Sequence, residues 1–204
     1  MPKKSFQLPA DALGPLKSGE IAKPLQITIL QGNLITQEVD AIVNPANESL
    51  LGGGGVDGQI HRAAGPQLVK ECATLGGCKT GNVKITKGYN LTARHVIHAV
   101  RPIYPDEPDN PQNPGYLAEC EEASGLLASC YKNILRVARE NNLKSIAIPA
   151  ISTGIFGYPT DKAALVVRET VYNDLQQNGA GSLEAIKFVL WEKEKYDIYD
   201  KVFS

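Results

Sequence analysis

The sequence lacks the features that mark membrane proteins, disulfide-rich proteins and general nucleic-acid binders. No apolar run approaches the roughly 20 residues that a membrane-spanning helix needs. The chain has four cysteines and no C-x-x-C pair, so we expect reduced thiols rather than a disulfide framework. The formal net charge of -1 at pH 7 gives no global attraction for nucleic acid. We therefore expect neither a membrane nor a nucleic acid as partner.

The N-terminal segment has little sustained periodicity. Prolines at positions 2, 9, 15 and 24 interrupt it, and it contains no apolar stretch typical of a signal peptide. We predict that residues 1–24 form an arm that is extended or partly disordered. The remainder, residues 25–204, has the usual size of a single domain. We expect this protein to be cytoplasmic and monomeric.

The remaining chain alternates between strand patterns and helix patterns. Short apolar runs predict about six strands, at residues 26–30, 41–43, 83–86, 95–100, 145–149 and 186–191. Apolar residues at three- and four-residue steps predict a helix over 119–140 and a second helix with Thr160 as its N-cap. Five prolines between residues 102 and 115 predict an exposed loop. This alternation predicts an α/β fold, with helices on both faces of a sheet.

A run of glycines at residues 52–55 is the most unusual local feature. It is followed by Val56, Asp57 and Gly58 and then by a predicted helix. Without Cβ atoms, several N–H groups can turn inward and bind a phosphate or pyrophosphate at the helix N-terminus. The alternative is a flexible surface loop, although such loops seldom carry aligned Asn, Asp and apolar residues. The run is not a P-loop, because Gln59 follows Gly58, and the early end of the preceding strand makes it a weak match to the dinucleotide-binding motif.

A second loop, at residues 150–159, also joins a predicted strand to a predicted helix. Phe156 in this loop offers an apolar wall for a sugar or a base. The loop's small residues offer N–H groups to the opposite side of the same anion. These small residues are Ser152, Thr153, Gly154 and Gly157. We therefore predict that the two loops face each other and form a pyrophosphate clamp.

Several long motifs resemble those of the MacroD-type macro domains and occur in the same order. Among them are DAIVN at residues 40–44, LLGGGGVDG at 50–58, IHRAAG at 60–65 and ISTGIFGYP at 151–159. Shorter matches at residues 77–81, 88–91 and 96–98 extend the similarity from about residue 26 to the C-terminus. The resemblance implies a three-layer α/β/α macro domain fold around a mixed central sheet. It also implies an ADP-ribose site at the strand ends.

The same resemblance implies roles for individual residues. Asn47 would hydrogen-bond the distal ribose, Phe156 would pack against that sugar, and Asn44 would anchor the loop. Asp57 would be the catalytic acid residue, acting with Asn47, and its carboxylate would orient or deprotonate a water molecule. The other expected substrate contacts come from Asn33, Leu34, Gly52, Gly53, Gly54, Gly55, Val56, Ser152, Thr153, Gly154, Ile155, Gly157 and Tyr158.

Structural roles remain open for the acidic and histidine residues. Asp57 has the position of a helix N-cap or first-turn acid, a common role that needs no chemistry. His61, beside apolar neighbours, is interpreted as a structural histidine. His95 and His98 lie three apart on a strand and therefore point to opposite faces, so we predict no metal site. We also expect no cofactor.

Two positions depart from the family pattern. Asn33 stands where the family usually has an aspartate that accepts from the adenine amino group. An amide oxygen lacks the charge that strengthens this hydrogen bond, so we expect a loss of roughly 1 kcal/mol in adenine recognition. Arg101 stands where the family commonly has glycine. The sequence leaves open whether Arg101 faces solvent or changes the charge of a nearby surface.

These features lead to one main hypothesis of function and two alternatives. The main hypothesis is an enzyme that binds ADP-ribose and hydrolyses ADP-ribosyl esters. Its substrates would be proteins with mono-ADP-ribose on Asp or Glu side chains, and O-acetyl-ADP-ribose, which it would deacetylate. The first alternative is a non-catalytic reader of ADP-ribose or poly-ADP-ribose. The second, a general nucleotide- or RNA-binding module, is disfavoured because the chain lacks a basic, aromatic stripe.

Overall fold

A computed structural model describes residues 2–9, 13 and 24–204 and contains a single seven-stranded sheet. Its strands lie in the order β1-β2-β7-β6-β3-β5-β4. The strands are β1 (Lys3–Leu8), β2 (Leu25–Gln31), β3 (Ala41–Ala46), β4 (Val83–Lys87), β5 (His95–Val100), β6 (Ser145–Ile148) and β7 (Ala185–Leu190). The helices are α1 (Gly55–Ala64), α2 (Pro66–Thr74), α3 (Pro114–Glu140), α4 (Thr160–Asn178) and α5 (Lys193–Phe203).

Two apolar cores lie on opposite faces of this sheet. Helices α3, α4 and α5 cover one face, where Leu127 and Val167 pack in a core with Ile29 of β2. Helices α1 and α2 cover the other face, where Ile60 and Leu68 pack in a second core. Burial of apolar side chains of this size contributes about 1.5–3 kcal/mol each. The expected three-layer arrangement, with helices on both faces, is therefore confirmed.

The strand directions place five strand ends along one edge of the sheet. Strands β2, β7, β6, β3 and β5 run parallel to their neighbours, whereas β1 and β4 are antiparallel edge strands. The sheet is thus mixed, as expected. The carboxyl ends of the five parallel strands meet at the same edge, which is where open α/β sheets usually bind ligands.

The N-terminal arm contributes a strand that the sequence prediction did not count. Residues 3–8 form strand β1, which pairs with β2 in register from Lys3 with Leu30 to Leu8 with Leu25. The sheet therefore has seven strands rather than about six, and its first strand lies before the predicted domain start at residue 25. Of the arm, residues 2–9, 13 and 24 are described, and the rest of the arm prediction lies outside the described residues.

Three boundaries also differ from the predictions. Strand β3 continues through Ala46, so Asn44 lies in a strand rather than in a loop. Thr160 is the first residue of α4 and Pro159 is the N-cap, with no side-chain capping hydrogen bond. Helix α3 begins at Pro114 instead of residue 119, and Asn113 caps it by accepting a hydrogen bond from the Gly115 N–H at 2.8 Å. Proline suits the first helical turn, because its missing N–H would have no acceptor there.

The proline-rich segment before α3 is only partly exposed. Pro102 and Tyr104 are buried, and the N–H of Tyr104 donates to the carbonyl of Phe156 at 2.9 Å. The first part of the predicted exposed loop is therefore packed against the loop that follows β6. Among the described residues, no helix combines the length and apolar character needed to cross a membrane.

Candidate functional site

A cleft lies at the edge where the five parallel strands end. Its first cavity, of about 280 Å³, is lined by groups at or after each of these strand ends. Strand β2 leads to residues 32–35 of this lining, β3 contributes Pro45, β5 leads to Arg101, β6 leads to residues 149–150, and β7 ends at residues 189–190. Residues 54–57, at the start of α1, complete one wall. The sheet topology thus brings segments that are far apart in the sequence together at one site.

The glycine block forms the N-terminus of helix α1. Gly54 is the N-cap, and the first N–H groups of the helix have no acceptor within it, so they are available to a ligand. Gly52 and Gly55 have φ angles of 92° and 61°, a region that favours glycine. Gly58 is required for a different reason, since a Cβ there would lie 2.3 Å from the Gly53 carbonyl oxygen. These constraints fix the backbone of a helix end whose free N–H groups have the geometry that suits an anion.

The loop after β6 faces this helix end. Ser152, Gly154 and Ile155 line the same cavity as Gly54 and Val56. The loop is tied down by its own hydrogen bonds, because the Ser152 hydroxyl donates to the carbonyl of Pro102 at 2.9 Å and the Gly157 N–H donates to the carbonyl of Gly154 at 3.0 Å. The predicted pair of facing loops is therefore present in the structure.

Asp57 lies in the first turn of α1 and is almost completely buried, with 3% of its surface exposed. Its Oδ1 accepts a hydrogen bond from Asn44 Nδ2 at 2.8 Å and lies 3.4 Å from Nε2 of His61, one turn along the helix. A Cβ added at Gly53 would lie 3.1 Å from Asp57 Oδ2 and 3.3 Å from Asn47 Nδ2, so both side chains approach the Gly53 backbone. The carboxylate is thus held in one orientation beside the glycine block.

A buried polar chain supports Asp57 from behind. The Asn44 amide nitrogen lies 3.1 Å from His98 Nδ1 as well as 2.8 Å from Asp57, so we assign both of its N–H groups as donors. His98 then carries its proton on Nε2 and donates it to the Thr86 hydroxyl, 2.9 Å away. Burial, and the nearby His61, lower the pKa of His98 to about 3, so the ring is neutral at pH 7. The chain therefore fixes Asn44 and, through it, Asp57.

The same region contains the described residues that come nearest to a metal site. His61, Cys72 and His98 each place one ligand atom within 4.8 Å of the others. However, both ring nitrogens of His98 already have hydrogen-bonding neighbours in Asn44 and Thr86. Burial raises the pKa of the Cys72 thiol to about 11, so it is protonated at pH 7, whereas a metal binds the thiolate. The hydrogen bonds of His98 therefore account for it, and for Cys72 beside it at 3.6 Å, as members of a buried polar cluster, while His61 lies next to Asp57.

A second cavity, of about 730 Å³, lies next to the first and contains Asn47 and Phe156 in its lining. The side chain of Asn47 braces its own loop, because its Nδ2 donates to the Gly52 carbonyl at 3.0 Å and its Oδ1 accepts from the Ser49 N–H at 3.0 Å. Among the described residues, Arg101 is the one that lines both cavities. Its guanidinium carbon lies 3.9 Å from the centre of the Phe156 ring.

Asn33, at the β2 end of the cleft, lines the first cavity near Trp191. Its Oδ1 accepts a hydrogen bond from the Ile35 N–H at 3.0 Å, which occupies one lone pair of the oxygen that was expected to meet adenine. Its backbone carbonyl accepts from Thr36 and Gln37. The Asn33 side chain is therefore both part of a turn and part of the cavity wall.

The structure divides the predicted site residues into three groups. The first cavity is lined by Asn33, Leu34, Gly54, Gly55, Val56, Asp57, Ser152, Gly154 and Ile155. The second is lined by Asn47 and Phe156. Neither lining includes Asn44, Gly52, Gly53, Thr153, Gly157 or Tyr158. Tyr158 instead lies in the core, where its ring centre is 4.4 Å from that of Tyr104.

Sequence reasoning missed the cavity wall between β7 and α5. Trp191, Glu192 and Lys195 line the first cavity, and Trp191 is 70% exposed. The strand predicted over 186–191 included Trp191, whereas β7 ends at Leu190. The available signal was an aromatic residue directly before the charged sequence of residues 192–195. Exposed aromatic residues at strand ends are candidates for stacking on a base.

Comparisons with known proteins agree on one family. The family model described as Macro domain matches residues 43–167. A macro domain-containing protein of Methanosarcina mazei is 45% identical over 179 residues, which is 88% of each protein. Human ADP-ribose glycohydrolase MACROD2 is 43% identical over 91% of this chain, which spans 41% of that longer protein. The crystal structure of a Trypanosoma brucei macrodomain in complex with ADP-ribose superposes with a TM-score of 0.76 and 36% identity, covering 96% of this chain and 77% of that one.

Proposed function

The chain belongs to the macro domain family, and on that premise we propose that it binds ADP-ribose and hydrolyses ADP-ribosyl esters. The proposed substrates are mono-ADP-ribose on Asp or Glu side chains of proteins, and O-acetyl-ADP-ribose. One observation carries the catalytic part of the proposal. Asp57 is a buried carboxylate, held by Asn44, that lines a cleft at the glycine-rich N-terminus of a helix.

The binding part rests on the two facing loops. The pyrophosphate of ADP-ribose would lie between the N-terminus of α1 and the loop that contains Ser152 and Gly154, where N–H groups and the helix dipole favour negative charge. This local geometry explains how a chain with a net charge of -1 would hold a dianion. The neighbouring walls, formed by Asn33 and Trp191, would accept the adenosine end.

The chemical step would take place at the opposite end of the pyrophosphate. Asn47 and Phe156 line the second cavity, and we assign the distal ribose to the boundary between this cavity and Asp57. The Asp57 carboxylate would orient a water molecule towards the anomeric carbon or the ester carbonyl and accept its proton. Because Asp57 Oδ1 is engaged by Asn44, the other oxygen, Oδ2, is the one we assign to the water.

Two MACROD relatives support the proposal of an enzyme over the alternative of a non-catalytic ADP-ribose reader. The MACROD2 proteins of human and mouse, 43% and 44% identical to this chain, are both named ADP-ribose glycohydrolases. The mouse protein also extends well beyond the matched region, since this chain covers 34% of it. We propose the hydrolytic activity for the macro domain itself because the two residues assigned to catalysis, Asp57 and Asn47, lie within it.

The proposal is tested by measuring ester hydrolysis and ligand binding together. The wild-type protein should release ADP-ribose from a glutamate-modified protein and acetate from O-acetyl-ADP-ribose, above the background measured without protein. In parallel titrations, ADP-ribose should bind more tightly than ADP, and ADP more tightly than AMP. Binding without release would favour the non-catalytic reader. Equal affinities for the three ligands would contradict the assignment of the distal ribose.

A further inference from the structure

Arg101 occupies a position in the cleft that the assignments above leave without a role. It follows β5 directly, and its guanidinium carbon lies 3.9 Å from the centre of the Phe156 ring. A guanidinium at this distance is attracted to the ring and held in one place by it. Arg101 lines both the cavity that contains Asp57 and the cavity that contains Asn47. The arginine therefore stands between the proposed general base and the proposed ribose pocket.

The guanidinium has an unused donor in this position. Its Nη1 is buried, and no hydrogen-bond acceptor for it is found among the described residues. A buried N–H group without an acceptor costs free energy, and the cost is larger for a charged group. Burial lowers the pKa of Arg101, while the charge of Asp57 acts in the opposite direction. An arginine remains protonated under these conditions, so the site holds a cationic donor that awaits an acceptor from a ligand.

The position of this donor selects one part of the proposed substrate. The pyrophosphate is assigned to the start of α1 and to the loop that contains Ser152, whereas the distal ribose is assigned to the side of the cleft where Phe156 lies. A donor beside Phe156 and near Asp57 lies where the ester bond of the distal ribose would be. The acceptor with suitable chemistry there is an oxygen of the acyl group.

We propose that Arg101 is a further catalytic residue, whose Nη1 donates to the acyl oxygen of the ester and stabilises the negative charge that forms on it. This proposal rests on the hydrolytic function proposed above. It assigns a role to the position where the family commonly has glycine. It also identifies carboxylate esters as the substrate class whose hydrolysis Arg101 accelerates most, because their leaving group is an anion that a guanidinium binds well.

The charge develops on the acyl group in both possible routes. When water attacks the anomeric carbon, a carbon–oxygen bond forms there, the bond to the acyl oxygen breaks, and its electron pair leaves on the carboxylate. When water attacks the carbonyl carbon, the π pair moves to the carbonyl oxygen and returns as the bond to the ribose oxygen breaks, and that oxygen takes a proton. The water proton passes first to Asp57 in each route. The products are ADP-ribose and a carboxylate, with one proton released.

The test compares Arg101→Met with Arg101→Lys and the wild-type protein. Methionine keeps an unbranched apolar side chain against Phe156 but removes the charge and the donors, whereas lysine keeps the charge. Arg136→Met is the matched control, because Arg136 is exposed on α3 and pairs with Glu140 away from the cleft. For each protein, kcat and KM are measured on a glutamate-linked ADP-ribosyl ester, and Kd is measured for ADP-ribose alone.

We expect Arg101→Met to lower kcat by about 100-fold, the low end of the usual cost of losing a donor to a developing oxyanion, while Kd for ADP-ribose changes less than about threefold. Arg101→Lys should retain part of the lost rate, and Arg136→Met should match the wild type. The nearly constant Kd also shows that the variants are folded.

Three outcomes would overturn the proposal and identify the step that fails. An unchanged kcat in Arg101→Met would contradict the role proposed for Arg101 and leave the proposed hydrolytic function standing. A gain in ADP-ribose affinity would show that Arg101 obstructs the ribose pocket instead of serving it. No ester hydrolysis by the wild-type protein would contradict the proposed function, and the role of Arg101 with it.

Discussion

The cleft has two walls that present different kinds of groups to a ligand. The anion wall consists of Gly54, Gly55, Ser152, Gly154 and Ile155, and it offers mainly backbone N–H groups. The chemical wall consists of the side chains of Asp57, on α1, and Arg101, after β5. Asn44 on β3 and His98 on β5 support this wall from behind without lining the cleft. Ligand binding by backbone N–H groups depends on the path of the chain. The chemistry of side chains depends on which residue occupies each position. The two walls should therefore fail in different ways when residues are changed.

After the losses of Asp57 and of Arg101, the largest effect is expected for Asn44, the residue that holds Asp57. Asn44→Ala removes the 2.8 Å hydrogen bond to Asp57 and leaves the carboxylate without its donor from β3. We expect kcat for ester hydrolysis to fall by about 10- to 100-fold, as is typical when a supporting partner is lost, with a much smaller change in Kd for ADP-ribose. Loss of affinity equal to the loss of rate would show that the two walls are not separable.

Steric crowding near the glycine block should disrupt the anion wall. Gly58→Ala places a Cβ 2.3 Å from the Gly53 carbonyl oxygen, so the glycine block must shift. Gly125→Ala is the matched control, because its Cβ would meet no atom within 4 Å in helix α3. We expect Gly58→Ala to weaken ADP-ribose binding by about 10-fold, roughly the loss of one charge-assisted hydrogen bond. Titration calorimetry would measure it, and equal affinities for the two variants would contradict a binding role for the loop.

The pH dependence of stability tests the buried support of the chemical wall. His98 is neutral in the folded protein, with a pKa of about 3 against an ordinary value of 6.5. Below about pH 6.5 the unfolded chain therefore binds a proton that the folded chain does not, and stability falls as pH falls towards 3. We expect this group to reduce the free energy of unfolding by up to about 1.4 kcal/mol per pH unit.

The variant His98→Gln isolates this contribution from those of the carboxylates. Urea unfolding between pH 6.5 and 5 should show a shallower pH dependence in His98→Gln than in the wild type, because glutamine does not titrate. A wild-type slope that persists in the variant would mean that His98 is not the group responsible.

The smallest effect is expected at the adenosine end. Asn33→Asp gives this position the charged acceptor that the family pattern has there, and an aspartate can keep the hydrogen bond to the Ile35 N–H at 3.0 Å. We expect ADP-ribose to bind about fivefold more tightly, which corresponds to about 1 kcal/mol. An unchanged Kd, measured in parallel with that of the wild type, would show that Asn33 does not take part in adenine recognition.

The two walls also differ in how far the sequence predicts them. The glycine block and its facing loop follow from local chemistry, since glycine runs at strand-to-helix junctions favour anions wherever they occur. The β5 strand, at residues 95–100, was likewise predicted with its full bounds. The contacts of the chemical wall are long-range, because Asn44 and His98 meet only through the parallel pairing of β3 with β5. No local pattern carries that information.

The remaining differences have similar physical causes. The polar residues of β1 give a weak strand pattern, and the strand is stabilised by pairing with β2, about 20 residues later in the chain. The strand predicted over residues 41–43 continues through Ala46, and Pro45 lies within it, paired with Ala99 of β5. Arg101 is a single residue whose side-chain direction depends on Phe156, more than 50 residues away. In each case a tertiary contact overrides a local preference.

The most direct test of the separation between binding and chemistry uses Asp57→Asn, which keeps the shape of the side chain and removes its basicity. Release of ADP-ribose from a glutamate-modified protein and Kd for ADP-ribose are measured on the same preparation of variant and wild type. We predict that release falls by at least about 100-fold, within the range for loss of a general base, while Kd changes less than about threefold. Turnover by the variant at the wild-type rate, or a parallel loss of rate and affinity, would contradict the account.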